Sequence, residues 1–208
     1  MKKKKNFLEK KYNLKQNKVN LDSDLETENK KTLEKAIKNH QEGKFTEAKK
    51  LYEKHLNHEP NNPICKSNLG NIYIIYQEPT KAEELFKQVI EEHQNFSFSY
   101  INYSKLLIDQ GRYNEALKIA YMGFEIDNQS SHLKYNLCLS LYLLEEYKKA
   151  LKKIEIFYED DAKSIDISIL GANCLFKIKG STIKNEKIIL DLLLKIKNND
   201  DLIRTFIT

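Results

Sequence analysis

The chain has 208 residues, is 40% hydrophobic and 31% charged, and carries a formal net charge of +5. That length suits one elongated domain, and the composition fits an ordinary soluble helical protein rather than a disordered or fibrous one. No apolar run reaches the roughly 18 residues that cross a bilayer; the longest, Ile188 to Ile196, is broken by Asp191 and Lys195.

Residues 1–28 read as a basic, weakly structured lead-in that turns helical near Glu28. Residues 1–20 are rich in Lys and Asn, and residues 21–28 (LDSDLETE) are acidic. Residues 1–31 hold ten Lys against five Asp and Glu, whereas residues 32–208 carry 25 charges of each sign. The basic excess therefore describes the lead-in alone. The Lys2–Lys5 run has no aromatic-interleaved basic patch continuing it, so a solvated tail is expected and a nucleic-acid partner is not. No apolar h-region follows these lysines, so no secretory signal is expected and the expected compartment is cytoplasmic.

From residue 29 onward the chain keeps a step of 34. Alanine recurs at Ala48, Ala82, Ala116 and Ala150. A second ladder of small residues runs through Ala36, Gly70, Ser104, Cys138 and Ala172, and a third through Gly43, Gln77, Gly111 and Glu145. Three ladders on one period are the signature of a helix-turn-helix repeat. Residues 63–96 show the physical reason. Asn62 can cap a helix whose first position is Pro63, giving a first helix from Ile64 to Tyr76. Gln77 and Glu78 fill the turn, and Pro79 opens a second helix through Glu92. Paired helices approach closely only where side chains are small, which is what Gly70 and Ala82 supply. Leu69, Tyr73, Leu85, Phe86 and Val89 fill the space around them.

Four such pairs are expected over residues 29–161: 29–62, 63–96, 97–130 and 131–161. The loops EPNNP, HQNFS, DNQSS and EDDAK join them. Residues 162–208 read as a degenerate fifth unit with a capping helix. Leu170, Ala172 and Leu175 keep the first-helix register, but Lys184 stands where Ala is expected. Residues 182–197 would cover the last apolar face. That stretch is itself apolar, with Leu192, Leu193 and Ile196, and Leu202, Ile203, Phe206 and Ile207 follow. This end could instead meet a second copy or a larger protein, making the chain an assembly module and a homo-oligomer.

Cys65, Cys138 and Cys174 are odd in number and have no local spacing motif, so a disulfide framework is not expected. Cys138, on the small-residue ladder, should be a buried thiol. A metal site built from His55, His58 and Cys65 lacks a fourth ligand and a Cys-x-x-Cys pair, so these histidines read as surface residues. There is no glycine-rich phosphate loop, GxSxG or HExxH, and only six glycines in all. No enzyme activity, cofactor or metal is expected.

The chain resembles the tetratricopeptide repeat family. Its second-half pattern appears in Gly43, Phe45, Ala48, Tyr52 and Pro60. Leu69, Gly70, Tyr73, Ala82 and Phe86 match in the next unit, then Gly111, Tyr113 and Ala116, then Leu137, Tyr147 and Ala150. Tyr100 replaces the family's first aromatic in one unit; there is no Trp in the chain. The resemblance implies an all-α, right-handed helix-turn-helix repeat solenoid of about four units with a degenerate C-terminal cap. It also implies a non-enzymatic scaffold for protein partners, or an accessory domain to a separate modifying enzyme.

A fourth ladder, Asn68, Asn102 and Asn136, lies two residues before the small one. That offset turns a side chain by about 200° to the opposite helix face, the inner curve of such an array. Asn71 shares the face of Asn68. An amide can pair with both the C=O and the N–H of an extended peptide, and in peptide-binding members of the family inner-face asparagines at this position do so. The resemblance thus implies a peptide-binding concave face with Asn68, Asn102 and Asn136 as its grip. Ile64, Phe98, Lys105, His132, Tyr135 and Leu139 would supply selectivity. The family's carboxylate clamp is not assembled. In one register Leu33 and Phe98 stand where lysines are needed, and Ile37 and Asn102 where Asn and Arg are. In the next, Ser67, His132 and Asn136 supply no cations.

Overall fold

The computed structural model describes residues 25–160 and 165–179, and among these every regular element is an α-helix. The order is α1 (25–41), α2 (Phe45–Leu56), α3 (Pro63–Ile75), α4 (Pro79–Glu92), α5 (Ser97–Asp109), α6 (Tyr113–Ile126), α7 (Ser131–Leu143), α8 (Tyr147–Asp160) and α9 (Ile165–Lys179). The chain divides inside α4, between Leu85 and Phe86, into two compact units. Boundaries differ from expectation at three places, the first being α3, which runs Pro63–Ile75 rather than Ile64–Tyr76. Residues 25–28 already belong to α1, and Glu159 and Asp160 belong to α8 rather than to the loop after it. Lys184, the apolar stretch around Leu192, Leu193 and Ile196, and residues 202–207 lie outside the described residues.

The helix ends follow local chemistry. Asn62 Oδ1 accepts from the Cys65 N–H at 3.0 Å with Pro63 at the first position, and Ser130 caps α7 through the Leu133 N–H at 3.4 Å. The third ladder proves to be one backbone device used four times. Gly43, Gln77, Gly111 and Glu145 all adopt positive φ, between 59° and 74°. Each donates its N–H to the carbonyl three residues back, and the following N–H bonds the carbonyl five back. In the second turn these are Gln77 N to Ile74 O at 3.0 Å and Glu78 N to Tyr73 O at 2.8 Å. This is the Schellman closure, which satisfies orphan carbonyls and turns the chain back on itself. Glycine takes that conformation freely, whereas a residue with a Cβ is held there at a cost of about 1–2 kcal/mol.

In the first unit, Ala36, Ala48, Tyr52, Cys65, Leu69 and Ile72 form a buried cluster, with Phe45, Leu51, Tyr73 and Leu85 packed against it. His55 is also buried, only 1% exposed, and its Nδ1–H donates to the Asn29 carbonyl at 3.1 Å. It is therefore not the surface histidine the sequence suggested. In the second unit the core joins Leu137, Cys138 and Leu141 of α7 to Ala150, Ile154 and Phe157 of α8 and to Ile167, Leu170 and Cys174 of α9. Here α6 packs on α5 and α7, α8 packs on α7 and α9, and the first helices also pack side by side, α5 on α7 and α7 on α9.

Where the family carries a buried aromatic, the chain has Lys66, Tyr100 and Lys134, 34 residues apart and 6%, 2% and 1% exposed. The aliphatic lysine stems do the filling, and the Lys134 ammonium sits 5.7 Å from the Phe157 ring centroid. Gly123 is a close-approach point the ladders did not reveal. A Cβ there would come within 2.6 Å of Tyr100 Cβ and 2.7 Å of a Leu133 methyl.

Thermal melts test both backbone readings. Gln77→Gly and Glu145→Gly relieve the left-handed strain, and each raises the melting temperature by about 2–4 °C, the equivalent of about 1 kcal/mol in a chain of this size. Gly123→Ala improves helix propensity by about 1 kcal/mol yet lowers stability by about 1–3 kcal/mol through overpacking.

Candidate peptide-binding face

A first helix in the second unit is covered on several sides. α7 has α6 and α8 against it as well as α5 and α9. What stays open is a strip along α5, α7 and α9. Phe98, 55% exposed, stands at one end of it on α5, its ring centroid 6.3 Å from that of Phe96. Lys105 on α5 and His132 on α7 are exposed, while Tyr135 and Leu139 of α7 are half-buried. Burial pushes the Tyr135 hydroxyl above its usual value; Asp166 of α9 adds to the effect and Lys105 of α5 opposes it. Tyr135 is thus flanked by one charge of each sign from the neighbouring helices. Lys105 is itself paired with Asp109 at 2.7 Å, so the strip is close to neutral.

The asparagines of the ladder are in three different situations. Asn136 is 6% exposed, and its Nδ2 donates to the Ile101 carbonyl at 3.1 Å and to Ser104 Oγ at 2.9 Å. Ser104 in turn donates to the Tyr100 carbonyl at 2.6 Å, and Ser140 Oγ to the Asn136 carbonyl at 2.7 Å. The Asn136 amide nitrogen is therefore committed to the seam between α5 and α7. A helical-wheel offset from the small ladder does not reveal this, because the face opposite one neighbour is here covered by another. Asn102, in the same register on α5, is half-buried; its Nδ2 is sealed from solvent and has no hydrogen-bond partner among the described residues. A buried donor left in that state costs about 1–3 kcal/mol.

In the first unit the Asn68 side chain is hydrogen-bonded to the Tyr52 hydroxyl, whose pKa burial pushes up to about 12. Asn71 is half-buried and Ile64 exposed on the same helix, α3. Phe98, Asn102, Lys105, His132, Tyr135, Asn136 and Leu139 all belong to the second unit, and Ile64, Asn68 and Asn71 to the first. Ser104, which receives the Asn136 amide, was visible in the sequence only as a small residue.

The three cysteines are free and buried. Burial pushes the Cys65 and Cys138 thiols up to about 12 and Cys174 to about 11, so at neutral pH all three are protonated and poor nucleophiles. Among the described residues no group of three or more His, Cys, Asp or Glu side chains could hold a metal ion, and no helix is long and apolar enough to cross a membrane.

Comparison with known proteins follows the same lines. A tetratricopeptide repeat family model matches residues 40–107. No curated protein sequence matches the chain. Among solved structures, MamA from Desulfovibrio magneticus RS-1 is similar over 83% of this chain and 97% of its own, with a TM-score of 0.73 and 14% identity. The Pseudomonas aeruginosa pilF protein is similar over 80% of this chain and 75% of its own, with a TM-score of 0.71 and 18% identity. The first tetratricopeptide domain of Spaghetti, solved bound to an HSP90 peptide, covers 56% of this chain and 93% of its own, with a TM-score of 0.53 and 20% identity. At these identities the likeness is one of fold. Residues 40–107 are tetratricopeptide repeat, and the chain shares its all-α repeat fold with solved tetratricopeptide-repeat proteins.

Proposed function

We propose that the chain is a non-enzymatic adaptor that holds an extended segment of a partner protein along the strip of α5, α7 and α9. The observation that carries this reading is the Asn102 amide nitrogen, a buried donor without a partner among the described residues, between exposed Phe98 and Lys105. A peptide carbonyl that turns aside the side chains sealing it would recover the hydrogen bond, and Phe98 and Tyr135 would take apolar side chains to either side. The peptide bound to the related Spaghetti domain lends support by analogy of fold. Asn136 contributes by bracing the seam that holds Asn102 and Tyr135 in place. A few hydrogen bonds at about 0.5–1.5 kcal/mol each, with one or two apolar contacts, amount to micromolar affinity.

The two asparagines separate grip from brace. Asn102→Ala removes an unpaired donor, so the melting temperature holds or rises while capture of the partner from native lysate falls about tenfold or more; Phe98→Ala lowers capture in the same way. Asn136→Ala instead lowers stability by about 1–3 kcal/mol, since it removes the two hydrogen bonds that Asn136 gives to the Ile101 carbonyl and the Ser104 hydroxyl. Capture unaltered by Asn102→Ala and Phe98→Ala together removes the strip from the proposal.

A further inference from the structure

The first unit holds a small cavity of about 200 Å³ lined by Leu25, Glu28, Asn29, Thr32, Lys54 and His58. Its most telling member is Asn29, 8% exposed. Asn29 Nδ2 donates to Glu59 Oε1 at 2.7 Å, which fixes the orientation of the amide, since a reversed amide would set an oxygen against a carboxylate. Glu59 is held from other sides as well. Its Oε2 accepts from Asn62 Nδ2 at 3.1 Å and lies 3.4 Å from buried His55 Nε2, while His55 Nδ1–H takes the Asn29 carbonyl. The network leaves Asn29 Oδ1 buried with no hydrogen-bond partner among the described residues.

Thr32 and Glu28, on the same helix as Asn29, add further acceptors to the lining. The Thr32 hydroxyl donates to the Glu28 carbonyl at 2.9 Å, which leaves the lone pairs of its oxygen. Lys54 engages the Glu28 carboxylate at 3.0 Å, in a pair whose side chains are 66% and 53% exposed, and His58 lies near enough to add a weaker electrostatic pull on it. Such an exposed pair is worth little and gives way readily. Within the lining Glu28 balances Lys54, and Glu59, bonded to Asn29 outside the lining, adds a second carboxylate nearby. The volume exceeds the roughly 150 Å³ that accommodates benzene and falls short of the roughly 300 Å³ at which pockets for drug-sized ligands begin. It suits one long side chain rather than a cofactor.

We infer that this cavity is a binding site for the cationic end of a Lys or Arg side chain from a partner protein. The ammonium or guanidinium donates to Asn29 Oδ1 and Thr32 Oγ1 and displaces Lys54 from Glu28, and the aliphatic stem lies along Leu25. The site belongs to the first unit and does not depend on the strip of α5, α7 and α9.

The test is a titration of the full chain with N-acetyl-arginine amide and N-acetyl-lysine amide, followed through the Asn29 side-chain amide in nitrogen-15 NMR. N-acetyl-norleucine amide, uncharged and of similar length, is the control. At least one cationic probe should give a saturable shift with millimolar affinity, and the one that saturates first names the side chain. Norleucine should give none. Glu28→Gln, at an exposed position, should weaken binding about tenfold, and Asn29→Ala, followed through the Thr32 backbone amide because the side-chain reporter is lost, should remove it. No saturable shift by about 50 mM of either cation, an equal response to norleucine, or unchanged affinity in Glu28→Gln overturns the inference, whatever Asn29→Ala does to folding.

Discussion

The left-handed closure at Gly43, Gln77, Gly111 and Glu145 is the constraint on which the rest depends. A helix that ends there returns its last carbonyls to the backbone within two residues, so the next helix must start at once and run back alongside. Small residues then decide how near the two come. Ala48, Ala82, Ala116 and Ala150 are all 0% exposed, because a larger side chain at the opening of the second helix would hold the pair apart. Two of the four closures use Gln and Glu, so the geometry persists even where conformational preference opposes it. Packing of the paired helices outweighs a local penalty of about 1–2 kcal/mol.

That packing also shapes the proposed binding strip. Once α7 lies against α5, α6, α8 and α9, its remaining surface is narrow, and a polar group in the seam must bond inward or stay unsatisfied. Asn136 bonds inward, to a carbonyl and a serine hydroxyl. Asn102 keeps its donor unpaired. Equal chemistry in equal register thus gives a brace in one place and a vacant donor in the other. Around that donor the charges cancel: Asp109 neutralises Lys105, and Tyr135 stands between Lys105 and Asp166. An uncharged, partly apolar peptide suits such a surface better than an acidic one, consistent with the missing cations of the carboxylate clamp.

Local and periodic features were legible in the sequence. Asn62 before Pro63 marked a helix start, and the Pro79–Glu92 helix and the residue at each turn followed from the 34-residue step. The polar interior was not legible. Lys66, Lys134 and His55 carry side chains that normally mark a surface, and they are buried because neighbours distant in sequence surround them. Gly123 belongs to no ladder, and its role is set by Tyr100 and Leu133 on two other helices. The asparagine ladder was read from its angle to a single packed face, whereas first helices here are packed on several.

Nitrogen-15 NMR of the side-chain amide protons in the free protein tests the distinction between brace and vacant donor most directly. Both amide nitrogens are screened from solvent, so exchange needs local opening. If the Asn136 amide holds the seam and the Asn102 amide is unpaired, opening at Asn136 also breaks hydrogen bonds, and its protons exchange up to about tenfold more slowly, the factor that a net hydrogen bond of about 1.4 kcal/mol supplies. Equal exchange at the two positions, or slower exchange at Asn102, would contradict the arrangement from which the binding strip was derived.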